Sequence, residues 1–140
     1  MFTFSKSDRI DITKIEDESL FLIFVVGLIN QHLNMLPINH KHKNKFRVEY
    51  QWGGAGHDFI DIYPLHNLKA SICMGVAGGR LGYNIFLDTE TAELAPDEGG
   101  ELQADEVSLD DIVNFLETFV REWFVEDKIS QYPQFVAPEG

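Results

Sequence analysis

The stretch Lys69 to Leu94, KASICMGVAGGRLGYNIFLDTETAEL, constrains the fold more than any other part of the chain. Two runs of β-favouring residues flank Gly78-Gly79, and a Gly-Gly pair supplies the positive φ angles that a two-residue type I′ hairpin turn requires. That turn sets the register. Counting outward, Val76 faces Leu81, Met74 faces Tyr83, Ile72 faces Ile85 and Ala70 faces Leu87, so one face of the hairpin is apolar throughout. The other face pairs Ala77 with Arg80, Gly75 with Gly82, Cys73 with Asn84, Ser71 with Phe86 and Lys69 with Asp88, and is small and half polar. A slip of one residue would bury Arg80 or Asp88, so the pattern admits a single register.

A second hairpin precedes it. Phe46 to Trp52 alternates, with Phe46, Val48, Tyr50 and Trp52 on one face and Arg47, Glu49 and Gln51 on the other. Gly53-Gly54-Ala55-Gly56 turns this strand back into His57 to Tyr63, and a symmetric hairpin sets Tyr50 opposite Phe59 and Trp52 opposite His57. The glycine run lacks the GxGxxG order, the following helix and the P-loop Lys-Ser/Thr, so it reads as a turn and not as a phosphate cradle.

Helices bracket the strands. Thr13 to Glu16 fits a capping box, and the helix it opens is expected over 13–34. Its middle, Leu20 to Ile29, has no polar side, so this helix is either sandwiched in the domain or partly covered by a second copy of the chain, a homodimer contact. At ten residues that run is about half of what a bilayer span needs, and acids precede it where a signal peptide carries positive charge. The second helix, 108–127, starts at Ser108 with Asp111 at N3, and Leu109, Ile112, Val113, Leu116, Phe119, Val120, Trp123 and Phe124 form one broad apolar stripe. Glu117 and Arg121 are spaced as an i, i+4 ion pair on its exposed side. The predicted fold is therefore a single α+β domain: an antiparallel sheet of four or five hairpin-connected strands with an N-terminal and a C-terminal helix packed on one face. Residues 1–12 read as an arm or edge strand anchored by Phe2 and Phe4, 46–95 as the antiparallel meander with Thr91 to Ala95 as one more short strand, 96–107 as an acidic loop, and 128–140 as a tail, extended from Ser130 with Tyr132, Phe135 and Val136 as the residues able to tie it down.

Charge is distributed unevenly. The chain of 140 residues carries a formal charge of −12. Residues 1–87 hold nine Lys/Arg against eight Asp/Glu, whereas residues 88–140 hold two against fifteen. Between Asp88 and Asp111 there are ten acids and no base. The spacing does not match an EF-hand, which leaves a solvated loop or a recognition surface for a basic partner. On the second reading the contact residues are Asp88, Glu90, Glu93, Asp97, Glu98, Glu101, Asp105 and Glu106.

The chemistry-bearing residues outside that stretch are few. Cys73 is the only cysteine, which excludes an intramolecular disulfide and suits a reducing cytosol. His40 and His42 in HKHKNK are spaced as two metal ligands on one face of an extended segment, with His57 and Asp58 as further donors only if the fold brings them near. No recognisable metal motif is complete, and neither metal nor cofactor is expected. The overall charge opposes nucleic acid, and no membrane contact is expected either. For catalysis, the best arrangement is His57 as a base oriented by Asp58 or Asp61, but neighbouring strand residues point to opposite faces, so no catalytic set is assigned.

A binding module is accordingly favoured over an enzyme. In size and charge the chain is similar to small bacterial immunity proteins, which occlude a cognate toxin, and the similarity is one of general character. It implies a cytoplasmic inhibitor that neutralises a basic partner such as a toxin or nuclease. The alternative is a small-ligand-binding or regulatory domain using the glycine-rich sheet face, with Trp52, His57, Cys73, Asn84 and Phe86 as the contact set.

Overall fold

The computed structural model describes residues 9–10, 18–51, 58–77, 80–103 and 107–136. The elements follow in the order β1 (Arg9–Ile10), α1 (Glu18–Asn34), β2 (Phe46–Gln51), β3 (Phe59–Pro64), β4 (Ser71–Ala77), β5 (Arg80–Asp88), β6 (Glu93–Gln103), β7 (Val107–Ser108) and α2 (Leu109–Val120). Five strands form one antiparallel sheet in the order β2-β3-β4-β5-β6, while β1 and β7 pair separately. The fold is α+β, with each strand of the large sheet beside its neighbour in sequence.

The β4–β5 ladder runs from Ser71↔Phe86 through Met74↔Tyr83 to Ala77↔Arg80, the register that the Gly-Gly turn dictates. Gly78 and Gly79 themselves lie outside the described residues, as do the 53–56 turn and the Thr13 capping box. In the first hairpin the pairing differs from the symmetric one: Tyr50 faces Ile60 and Gln51 faces Phe59. The observed register sets Phe46, Val48 and Tyr50 opposite Pro64, Ile62 and Ile60, apolar against apolar. The symmetric pairing would have set Val48 against Asp61, so burial of the isoleucines decides.

Both helices lie on one face of the sheet. Phe21, Leu22, Val25 and Ile29 of α1 and Ile112, Leu116 and Phe119 of α2 share a core with Ile60, Ile62, Ile72, Met74, Leu81 and Ile85, which the ladders place on a single face. α1 is not buried all round, since Leu20 and Ile23 are 42% and 49% exposed. α2 opens as expected: Ser108 Oγ accepts from the Asp111 N–H at 3.2 Å, and Asp111 Oδ2 accepts from the Ser108 N–H at 2.9 Å. Its last turn widens into a π-turn over Arg121–Val125, closed by the Glu126 N–H on the Arg121 carbonyl at 2.7 Å. That extra residue changes the phase of the helix, and Arg121 pairs with Glu126 at 3.4 Å where the sequence spacing suggested Glu117.

Two further segments depart from expectation. The tail is not extended from Ser130: it coils as 3₁₀ turns over Lys128–Gln131 and Pro133–Phe135, tied down by Phe135, one of the residues expected to do so, and by Ile129, which was not. The segment expected as an acidic loop over 96–107 is, through Gln103, the continuation of β6 at the sheet edge. Its Gly99-Gly100 pair answers to packing. The Tyr83 ring lies over Gly100, where a Cβ would come within 2.7 Å of it, and a Cβ on Gly99, at φ +153°, would stand 2.8 Å from the Tyr83 carbonyl. Tyr83 is held there by its hydroxyl, which accepts from Trp123 Nε1 at 3.0 Å in the core.

Candidate functional site

With both helices on one side, the second face of the sheet is lined by side chains that do not join the core. In register across the strands lie Glu49, Asp61, Cys73, Asn84 and Gly99. One row away stand Arg47, Tyr63, Ser71, Phe86 and Leu94, and on the other side Gln51, Phe59, Gly75, Gly82 and Glu101. Arg47, Asn84 and Glu101 are exposed, and Glu49, Phe59, Asp61, Tyr63, Cys73 and Phe86 are half-buried. Strand alternation explains the composition: each open-face residue is flanked along its strand by a core residue, such as Asp61 by Ile60 and Ile62.

Asp61 is central on this face. It accepts a hydrogen bond from the Ser71 hydroxyl, and no ion pair to it is found among the described residues. Burial pushes its carboxyl above the ordinary range, the Ser71 bond opposes this, and Glu49 across the ladder adds to the rise. Burial and then the charge of Asp61 push the Cys73 thiol up to about 11, so it stays protonated and is a poor nucleophile. Burial and the neighbouring Glu49 likewise raise the Tyr63 phenol, against the opposing Arg47.

The acids of the last third border this face. Asp88 is half-buried at the end of β5 and is occupied structurally: its Oδ1 accepts from the backbone N–H of Glu90 at 2.9 Å and of Thr91 at 3.4 Å, which shapes the turn into β6. Glu90 is exposed in that turn, 3.5 Å from Lys69 Nζ, and Glu93 is exposed at the start of β6. Glu101 projects onto the open face opposite Gly82, with Arg80 at 3.7 Å. Between Asn84↔Gly99 and Phe86↔Leu94, the residues Ala95, Pro96, Asp97 and Glu98 all stand opposite Ile85, so the edge strand bulges where Asp97 and Glu98 occur. The side chains of Asp97 and Glu98, and Asp105 and Glu106 entirely, lie outside the described residues.

Of the ligand-face set, Cys73 and Asn84 are paired across β4–β5 and Phe86 is adjacent, while Trp52 and His57 lie outside the described residues. His42 has a packing role that the sequence did not signal. It is 5% exposed, edge-on to Phe46 and Phe124, with Nε2 2.6 Å from Asp127 Oδ1. Asp127, at φ 67°, also accepts from Lys41 Nζ at 2.7 Å and Ser130 Oγ at 2.5 Å, and so ties the basic loop to the C-terminal segment. Burial lowers the His42 pKa despite the carboxylate beside it. Burial acts upward on Asp127 also, but the hydrogen bonds from Lys41, Ser130 and His42 prevail and hold it at about 2. Among the described residues no group of three His, Cys, Asp or Glu is placed to hold a metal ion. Asp58 accepts from the Tyr50 hydroxyl at 2.5 Å.

No protein family, characterised protein or solved structure matches the chain. Carboxylates and half-buried aromatic rings share one sheet face, bordered by an acidic edge.

Proposed function

We propose that the chain is an acidic protein-interaction domain that binds and neutralises a basic partner, in the manner of an immunity protein masking a toxin or nuclease. The observation that carries this reading is the position of β6: the acid-rich segment is the edge strand of the sheet, beside a face that the helices leave open. Acids gathered at one edge raise the local concentration of a basic partner and orient its approach, whereas scattered acids only aid solubility. The bulge opposite Ile85 interrupts the edge ladder, which favours docking through side chains over addition of a partner strand. No helix among the described residues is long and apolar enough to cross a membrane.

The test is kinetic. The partner is purified from the native cell extract, and its association is measured with the wild type and with Glu90→Gln, Glu93→Gln, Glu101→Gln combined. Steering predicts that the wild-type on-rate falls steeply with salt and that the triple variant loses at least about tenfold in on-rate at low salt, with a smaller change in off-rate. Equal on-rates for both proteins would dismiss the acidic edge as a solvated surface.

A further inference from the structure

The open face is not uniform. Gly75 and Gly82 are paired neighbours on β4 and β5, and together they leave a strip of backbone without side chains. The strip continues from Phe59 on β3 at one end to Glu101 on β6 at the other, and the row containing Asp61 and Cys73 forms one of its walls. Asp61 stands beside that strip with Phe59 and Tyr63 two residues away on the same side of its own strand.

A half-buried carboxylate hydrogen-bonded to a neutral hydroxyl, with a second carboxylate across the ladder, is costly to hold charged. The rise in the Asp61 carboxyl is the mark of that cost. An arriving cation relieves it. A guanidinium offers paired donors to a carboxylate and stacks on aromatic faces, and Phe59 and Tyr63 supply such faces on either side.

We infer that Asp61 is the central anchor for an arginine or lysine side chain on an extended segment of the basic partner, laid along the Gly75-Gly82 strip. This rests on the reading of the chain as a binder of basic proteins. Steering and anchoring are thus separate tasks, the first given to the exposed acids of the edge and the second to Asp61.

The experiment uses octa-arginine as the probe, octa-citrulline as the uncharged control, and amide NMR with titration calorimetry at physiological salt. The expected result is that octa-arginine shifts the amides of Asp61, Ser71 and Cys73, octa-citrulline does not, and Asp61→Asn weakens binding at least tenfold while its melting temperature is no lower than that of the wild type. The triple edge variant weakens binding less at this salt. If Asp61→Asn binds as the wild type does while the edge variant is weakened, the anchor assignment is wrong and the acidic docking reading stands. If octa-arginine binds neither protein, both are wrong.

Discussion

At the scale of single residues, protonation separates groups that serve the fold from those that cost it stability. Asp61 has a folded pKa above its ordinary value of 3.8. Its contribution is therefore present below 3.8 and lost as pH rises through the folded value. Asp61→Asn keeps the acceptor for Ser71 and removes the charge, so the variant should melt higher than the wild type at pH 7, with the difference shrinking in acid. His42 and Asp127 behave in the opposite sense. Both have lowered values, so the unfolded chain takes their protons first and stability falls on acidification. Thermal melts of the wild type should show one decline as pH drops below about 6.5, absent in His42→Gln, and a second between about 4 and 2, absent in Asp127→Asn. A wild-type stability that is flat from pH 7 to pH 5 would contradict the buried, neutral His42.

Trp123 tests the core at the same scale. It is 1% exposed, donates to Tyr83 and carries Lys128 over its ring. Trp123→Ala should cost about 3–5 kcal/mol in chemical denaturation, and Trp123→Phe about 1–2 kcal/mol, the second chiefly for the lost hydrogen bond. A loss below about 1 kcal/mol for the alanine variant would mean that α2 does not pack as described.

Among the elements, β6 shows most clearly what sequence can and cannot convey. The β4–β5 hairpin was legible because its turn and alternation agree, and a shift by one would bury charge. β6 was legible only as far as Ala95, since beyond it Pro96, Gly99, Gly100 and three acids imitate a loop. The physical reasons are non-local. An edge strand tolerates proline, and the two glycines are required by a tyrosine on the neighbouring strand. The β2–β3 register was missed for a related reason: a hairpin read alone favours symmetry, and only the shared core face selects Ile60 and Ile62. Asp61 was visible as an acid, but its setting depends on Ser71 and Glu49 from two other strands. Gly100→Ala follows from this account. The Tyr83 ring cannot yield while Trp123 holds it, so the variant should lose about 1–3 kcal/mol, and β6 amides should exchange faster than those of β4. Unchanged stability would contradict the close approach of the Tyr83 ring to Gly100.

For the molecule as a whole, the two faces of the sheet divide the work. One face and both helices make the core, while the other carries carboxylates and half-buried rings around the buried Ser71. Basic residues cluster before β2 and acids around β6, at opposite edges of the sheet, so the proposed basic partner would meet the molecule in a preferred orientation. The most direct measurement of this account is amide hydrogen exchange of the chain alone and bound to its purified partner. The account predicts added protection in Glu93–Gln103 and at Asp61, Cys73 and Gly82, with α1 unchanged. Protection confined to α1, around the exposed Leu20 and Ile23, with β6 and the open face unaffected, would contradict it.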